Sequence, residues 1–146
     1  MNTNQTESNI SSYKNLAYIK KLYEKRLSEV LNSNLNVSFA PFAEILYTKT
    51  VRTQQELSDY ALCNKAHTSR TIAKMQLRGL VKITTLSRNS AIALTKKGEA
   101  FAEVCIKTRE EVFKSLIENI NKKDLETFEK VLNQITANAQ AVQTKE

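Results

Sequence analysis

The chain has 146 residues, two glycines, one proline, two cysteines and a net charge of +7. That length allows one domain with a real core, or a small domain plus helical arms, and the scarcity of turn residues predicts helix over tight-turn β architectures. The N-terminus "MNTNQTESNISS" has no apolar signal region and no apolar run reaches membrane-spanning length, so a cytoplasmic location and no membrane partner are expected.

The charge is unevenly placed. Residues 49–97 hold ten cations against two anions, a balance of +8, and the rest of the chain balances at −1. A basic middle between near-neutral arms is what a polyanion-binding module looks like; a merely solvated basic surface is the bland alternative.

In chain order, residues 1–12 are expected to be a disordered lead. From Tyr13 to about Asn32, apolar residues at threes and fours predict an amphipathic helix. Ser38 can cap a second helix, "FAPFAEILYTK", with Pro41 tolerated in its first turn. Thr53 and Glu56 form a T-x-x-E capping box for a short third helix. Asn64 caps a fourth, which stops at Gly79 as a left-handed terminator with Leu80 packing back. Val81 and Ile83, then Ile92 and Leu94, flank the polar "SRN" and predict a two-stranded hairpin. Thr95 caps a long fifth helix reaching Ile120, and Asn121 with Asp124 caps a last one whose end, residues 141–146, frays. The fold class is therefore mainly α with a small β-hairpin wing: a winged helix-turn-helix with helical arms at both ends.

Read on a wheel from Lys65, the fourth helix gathers Thr68, Thr71, Ile72 and Met75 on one face, with Ala66, Arg70 and Ala73 opposite and His67, Ser69 and Lys74 flanking. Low bulk with long cations beside it suits a major groove, where small side chains meet thymine methyls and arginine grips a guanine edge. Arg70 is the first choice as base reader by this argument, with a phosphate contact next and a surface ion pair last. Lys65 and Lys74 serve as phosphate clamps, and His67 supplies either a polar contact to DNA or an ordinary exposed ring. Gln54 and Gln55 open the third helix, where backbone N–H groups and side-chain amides can hold a phosphate. Arg88 at the hairpin tip is the remaining DNA candidate, against a solvated arginine.

These motifs, in this order, resemble the MarR family of transcriptional regulators. "QQELSDYALCNKAHTSRTIAKMQLRGLV" is similar to its E-L-A, turn, Ser-Arg and G-L-V pattern, "LTKKGEAF" to its L-T-x-x-G segment, and "NKKDLETFEKVL" to its final capped helix. The resemblance covers about residues 13–140. It implies a twofold dimer on DNA, with residues 13–36 and 100–140 as dimerisation helices around a winged-helix region, 37–99. Two departures stand out: the wing lacks the family's Asp-x-Arg, and Leu62 occupies a turn position where glycine is common.

The apolar stripes of the first and last helices are too extensive for a winged core to cover. Leu16, Ile19, Leu116, Ile120, Leu125, Phe128, Leu132 and Ile135 are therefore the expected dimer contacts. Cys63 reads as a buried small hydrophobe before it reads as a redox switch, and Cys105 reads as packing. Tyr13, Tyr18, Tyr23, Phe42 and Tyr47 are core candidates before they are an effector pocket, and no ligand is assigned to them. Two unclustered cysteines and one histidine offer no zinc set, and neither a catalytic triad nor a P-loop is present, so no enzyme activity and no cofactor are expected.

The sequence reading is thus a homodimeric, sequence-specific regulator of double-stranded DNA, a repressor on a pseudo-palindromic operator. Response to a small-molecule effector is left open. The rival is a winged-helix adaptor that docks protein, whose fourth helix would carry apolar anchors.

Overall fold

Short side-chain caps start four of the six described helices. The computed structural model describes residues 3–32, 37–86 and 89–143. In chain order the elements are α1 (Thr3–Leu31), α2 (Ala40–Thr48), α3 (Gln54–Ala61), α4 (Lys65–Leu77), β1 (Val81–Leu86), β2 (Asn89–Leu94), α5 (Lys96–Leu116) and α6 (Lys122–Gln143). Thr53 and Glu56 complete the capping box on α3. Asn64 Oδ1 accepts the His67 N–H at 2.8 Å, and Asn121 Oδ1 accepts the Asp124 N–H at 2.9 Å. Each cap satisfies a helix-end donor that would otherwise lack a partner.

Helix α4 ends in a Schellman motif. Gly79 sits at φ 68°, its N–H donates to the Gln76 carbonyl at 2.8 Å, and the Leu80 N–H reaches back to Met75 at 2.9 Å. Leu80 and Met75 are both buried, which supplies the apolar contact that closes this motif.

The hairpin forms as the alternation predicts. β1 and β2 pair antiparallel, with Val81 opposite Leu94 and Ile83 opposite Ile92. Val51 adds an isolated antiparallel bridge to Ile92, so the hairpin has a third chain segment at its edge that residue patterning did not reveal.

Four boundaries differ from expectation, one being the end of α6, which stays helical through Gln143 where residues 141–146 are expected to fray. α1 begins at Thr3 instead of near Tyr13, so residues 3–12 are helical and not a disordered lead. Once the amphipathic part has nucleated, each further residue adds a hydrogen bond at little cost, and no glycine or proline interrupts. The N-cap of α2 is Phe39, with no side-chain cap bond, so Ser38 does not cap it. α5 stops at Leu116, short of Ile120, and Asn119 at φ 63° turns the chain out of the helix.

The described contacts divide the chain into two units, Met1–Val112 and Phe113–Glu146, with the boundary inside α5. The first unit holds the core. Phe42, Ala43, Val51, Leu57, Ile72, Met75, Leu80, Val81, Ile92 and Leu94 form one buried cluster joining α2, α3, α4 and the hairpin. Beside it, Leu27 of α1, Ala40 of α2 and Cys105 of α5 form a second cluster. Three helices are also tied by polar groups: the Tyr23 hydroxyl donates to Glu44 at 3.1 Å, and Arg109 pairs with the same carboxylate at 3.3 Å. Burial, with the Glu44 charge next, raises the Tyr23 pKa well above its ordinary value. In the second unit, α6 has no buried side chain among those described; Leu125 is partly covered and the rest are exposed. No described helix is long and apolar enough to cross a membrane.

Candidate nucleic-acid interface

Helices α3 and α4 are joined by Leu62, Cys63 and Asn64, and Leu62 makes the turn at φ 52°, ψ 40°. The hydrophobic core grips α4 from one side only. Thr68, Thr71, Ile72 and Met75 are its buried residues, the same four that the helical spacing selects. Thr68 and Thr71 can be buried this deeply because a hydroxyl can return to its own helix backbone, as Thr68 does to the Asn64 carbonyl at 3.2 Å.

The opposite face is open. Lys65, Ala66, Ser69, Arg70, Ala73 and Lys74 are all exposed on it or on its flanks. Both anions of the basic middle are occupied elsewhere: Glu56 accepts the Arg52 and Thr53 N–H groups, and Asp59 accepts the Gln55 amide at 2.9 Å. Among the described residues, none of Lys65, Arg70 and Lys74 has an ion-pair partner. Three cations thus stand on one helix with no carboxylate to neutralise them, a field that attracts a polyanion. Lys65 and Lys74 lie roughly 13–14 Å apart along the axis at 1.5 Å per residue, enough to bracket the small residues between them.

The remaining sequence candidates fall less simply. The His67 ring leans on Phe42, with ring centroids 6.0 Å apart, so one side of it is tied to the domain. Gln54 and Gln55 do open α3. However, the Gln55 amide is held by Asp59, and the Glu56 carboxylate lies at the same helix start, where it opposes an incoming phosphate. Arg88 lies outside the described residues, as does the Tyr13 side chain. Lys49 stacks over the Tyr60 ring at 4.8 Å from its centre.

Sequence reasoning missed Leu77. It is 87% exposed and falls on the same outward ridge as Ala66 and Ala73; the ~100° advance per residue could have placed it there. The aromatic candidates for a pocket do not converge. Phe42 is core, Tyr18 is exposed, and Tyr47 is exposed with its hydroxyl donating to Glu103 at 3.0 Å. A separate cleft of about 300 Å³ is lined by Glu44, Thr48, Tyr60, Ile106 and Arg109, among others. Cys63 is partly buried and its thiol donates to the Ala61 carbonyl at 3.2 Å, whereas Cys105 is fully buried, which pushes its thiol up to about 12.

No family model matches the chain, and no curated protein matches it in sequence. Solved structures do match. A MarR/EmrR family transcriptional regulator from Acinetobacter sp. ADP1 is similar with a TM-score of 0.77 at 20% identity, over 97% of this chain and 99% of that one. A MarR transcriptional regulator from Methanosarcina mazei Go1 gives 0.73 at 21% identity, over 88% and 89%. The fold is that of the MarR family. A third neighbour, a MarR-family regulator from Listeria monocytogenes solved with a 26mer DNA, gives 0.72 at 15% identity, over 86% and 87%. Within the MarR fold, α4 occupies the second helix of the helix-turn-helix, and the β1–β2 hairpin is the wing.

Proposed function

We propose that the protein is a cytoplasmic, sequence-specific regulator of double-stranded DNA, with α4 as its recognition helix. The observation that carries this reading is the outward face of α4: small residues between Lys65, Arg70 and Lys74, none of them neutralised among the described residues, on a helix anchored from behind by Ile72 and Met75. Its fold neighbour with a 26mer DNA supports the same assignment. Ala66 and Ala73 let the helix axis approach base edges, Arg70 reads guanine, Ser69 and His67 add polar contacts, and the two lysines hold phosphates. Gln54 and Gln55 stay phosphate candidates at the start of α3, against the Glu56 carboxylate and the Asp59 hold on the Gln55 amide, and Arg88 is the minor-groove candidate.

Two copies act together in this proposal. Leu16 and Ile19 are exposed on α1, Leu116 at the end of α5 and Ile120 in the link after it are exposed, and Phe128, Leu132 and Ile135 are exposed on α6 beside the partly covered Leu125. A 22-residue helix with an uncovered apolar stripe needs a partner, and a second copy of the chain supplies the same stripe in twofold relation. Recognition helices so related meet one face of the duplex at ~34 Å, or about 10–10.5 bp. The operator is thus a pseudo-palindrome with that half-site spacing, and occupying it represses the promoter.

The adaptor reading has one observation in its favour, the exposed Leu77, but a single anchor is a small basis for a protein interface. Titration of a random duplex at increasing salt separates the two. The DNA reading expects affinity to fall steeply with salt as phosphate-bound counterions are released. Binding that is absent or indifferent to salt would overturn it.

A further inference from the structure

The chain has only two glycines, and both stand at one joint. Gly79 ends α4 in the left-handed region, and Gly98 lies in the first turn of α5. A Cβ on Gly98 would collide with the Leu80 backbone carbonyl and press on Leu94 Cδ2 at 3.1 Å. Around this close approach, three consecutive carbonyls at the end of α4 are held by the start of α5. Lys97 Nζ donates to Arg78 O at 2.8 Å, the Thr95 hydroxyl donates to Gly79 O at 2.6 Å, and the Thr95 N–H donates to Leu80 O at 3.0 Å. The Thr95 oxygen also accepts the Gly98 N–H at 3.1 Å, so one hydroxyl caps α5 and holds α4.

From this geometry we infer that Thr95, Lys97 and Gly98 are positioning residues for the recognition helix. They touch no base. They lock the C-terminal end of α4 to α5, so the angle at which α4 meets the groove is set by α5 and not by the wing alone. Lys97 therefore acts through the carbonyl of Arg78, where its ammonium is engaged by the protein's own backbone. Base readout depends on that angle because bidentate hydrogen bonds tolerate little misalignment, whereas lysine–phosphate attraction is far less directional. The inference rests on the DNA-binding reading.

Thr95→Val keeps the shape and removes both hydroxyl bonds; Thr95→Ser keeps the bonds. Both full-length variants are compared with the wild type on a duplex that the wild type selects from a random-sequence pool, and on the unselected pool. All are measured well below their melting temperatures and over a range of salt. Thr95→Val is expected to lose roughly three- to tenfold on the selected duplex, with binding to the pool and the salt slope unchanged. Thr95→Ser should restore the selected affinity. Amide exchange at Gly79 and Leu80 reads the joint without DNA and should quicken in Thr95→Val only. A Thr95→Val protein that keeps its preference for the selected duplex, or loses affinity for both DNAs alike with a flatter slope, overturns the inference. A wild type that selects no duplex overturns the DNA reading itself, and with it this role.

Discussion

Helices α4 and α6 make opposite use of amphipathic sequence. α4 is short, rich in polar and charged residues, and yet buries four side chains because the core of α2, α3 and the hairpin meets it. α6 is longer, carries Leu125, Phe128, Val131, Leu132 and Ile135 at helical spacing, and buries none of them. Apolar content therefore does not decide which helix is anchored; what faces it does. The anchored helix can give its outer side to small residues and cations, and the unanchored one leaves its apolar stripe uncovered.

The sharpest way to break this contrast is to attack both stripes. Ile72→Ala in α4 should destabilise the fold by about 2–5 kcal/mol in urea or thermal unfolding. Phe128→Asp in α6 should leave the winged core intact and instead yield monomers in sedimentation, with weak, salt-sensitive DNA binding as the second half-site is lost. If Phe128→Asp unfolds the core as Ile72→Ala does, the two helices are not distinct in kind.

The next largest effect lies on the open face of α4. Arg70→Ala should lower specific affinity by about 1–3 kcal/mol and relax base preference at one position per half-site. Lys74→Ala should instead weaken binding to every sequence and flatten the salt dependence. Equal, sequence-independent losses in both variants would erase the division between reader and clamp.

A smaller change sharpens the turn that presents α4. Leu62 holds a left-handed backbone and is more than half exposed, so its side chain returns little for the strain. Leu62→Gly should leave stability level or raise it by up to about 1 kcal/mol, visible as a higher melting temperature. A clear loss would mean that the leucine side chain packs usefully.

The last effect is confined to alkaline pH and is nil at neutral pH. Burial raises Cys105 from 9.0 to about 12. A thiol that holds its proton longer in the fold than in the unfolded chain stabilises fully below pH 9, and that contribution disappears as pH rises towards about 12. Cys105→Ala should remove this component from the alkaline stability profile; an unchanged slope between those limits would show that the thiol ionises as freely in the fold as outside it.

What was legible in the sequence was chemistry with a short reach. Asn64, Thr53 with Glu56, Asn121 with Asp124, and Gly79 act within four residues of themselves, and each ends or starts its helix as read. The buried face of α4 was equally legible, since a helical period needs no knowledge of the partner. Features that depend on distant chain were not. The His67 ring against Phe42, the bridge from Val51 to Ile92, and the grip of Thr95 on Gly79 all join residues with no local signal for their meeting. Helix ends without a cap were also missed, because the start of α1 is set by how far hydrogen bonding can propagate and not by any single residue.

The uncovered stripe of α6 has one more consequence. If only a second copy covers it, the ordering of α6 and encounter become a single equilibrium, and dilution melts α6 while the winged core stays folded. The number of copies in a cell then sets how many of them carry an ordered α6 as well as how many are available.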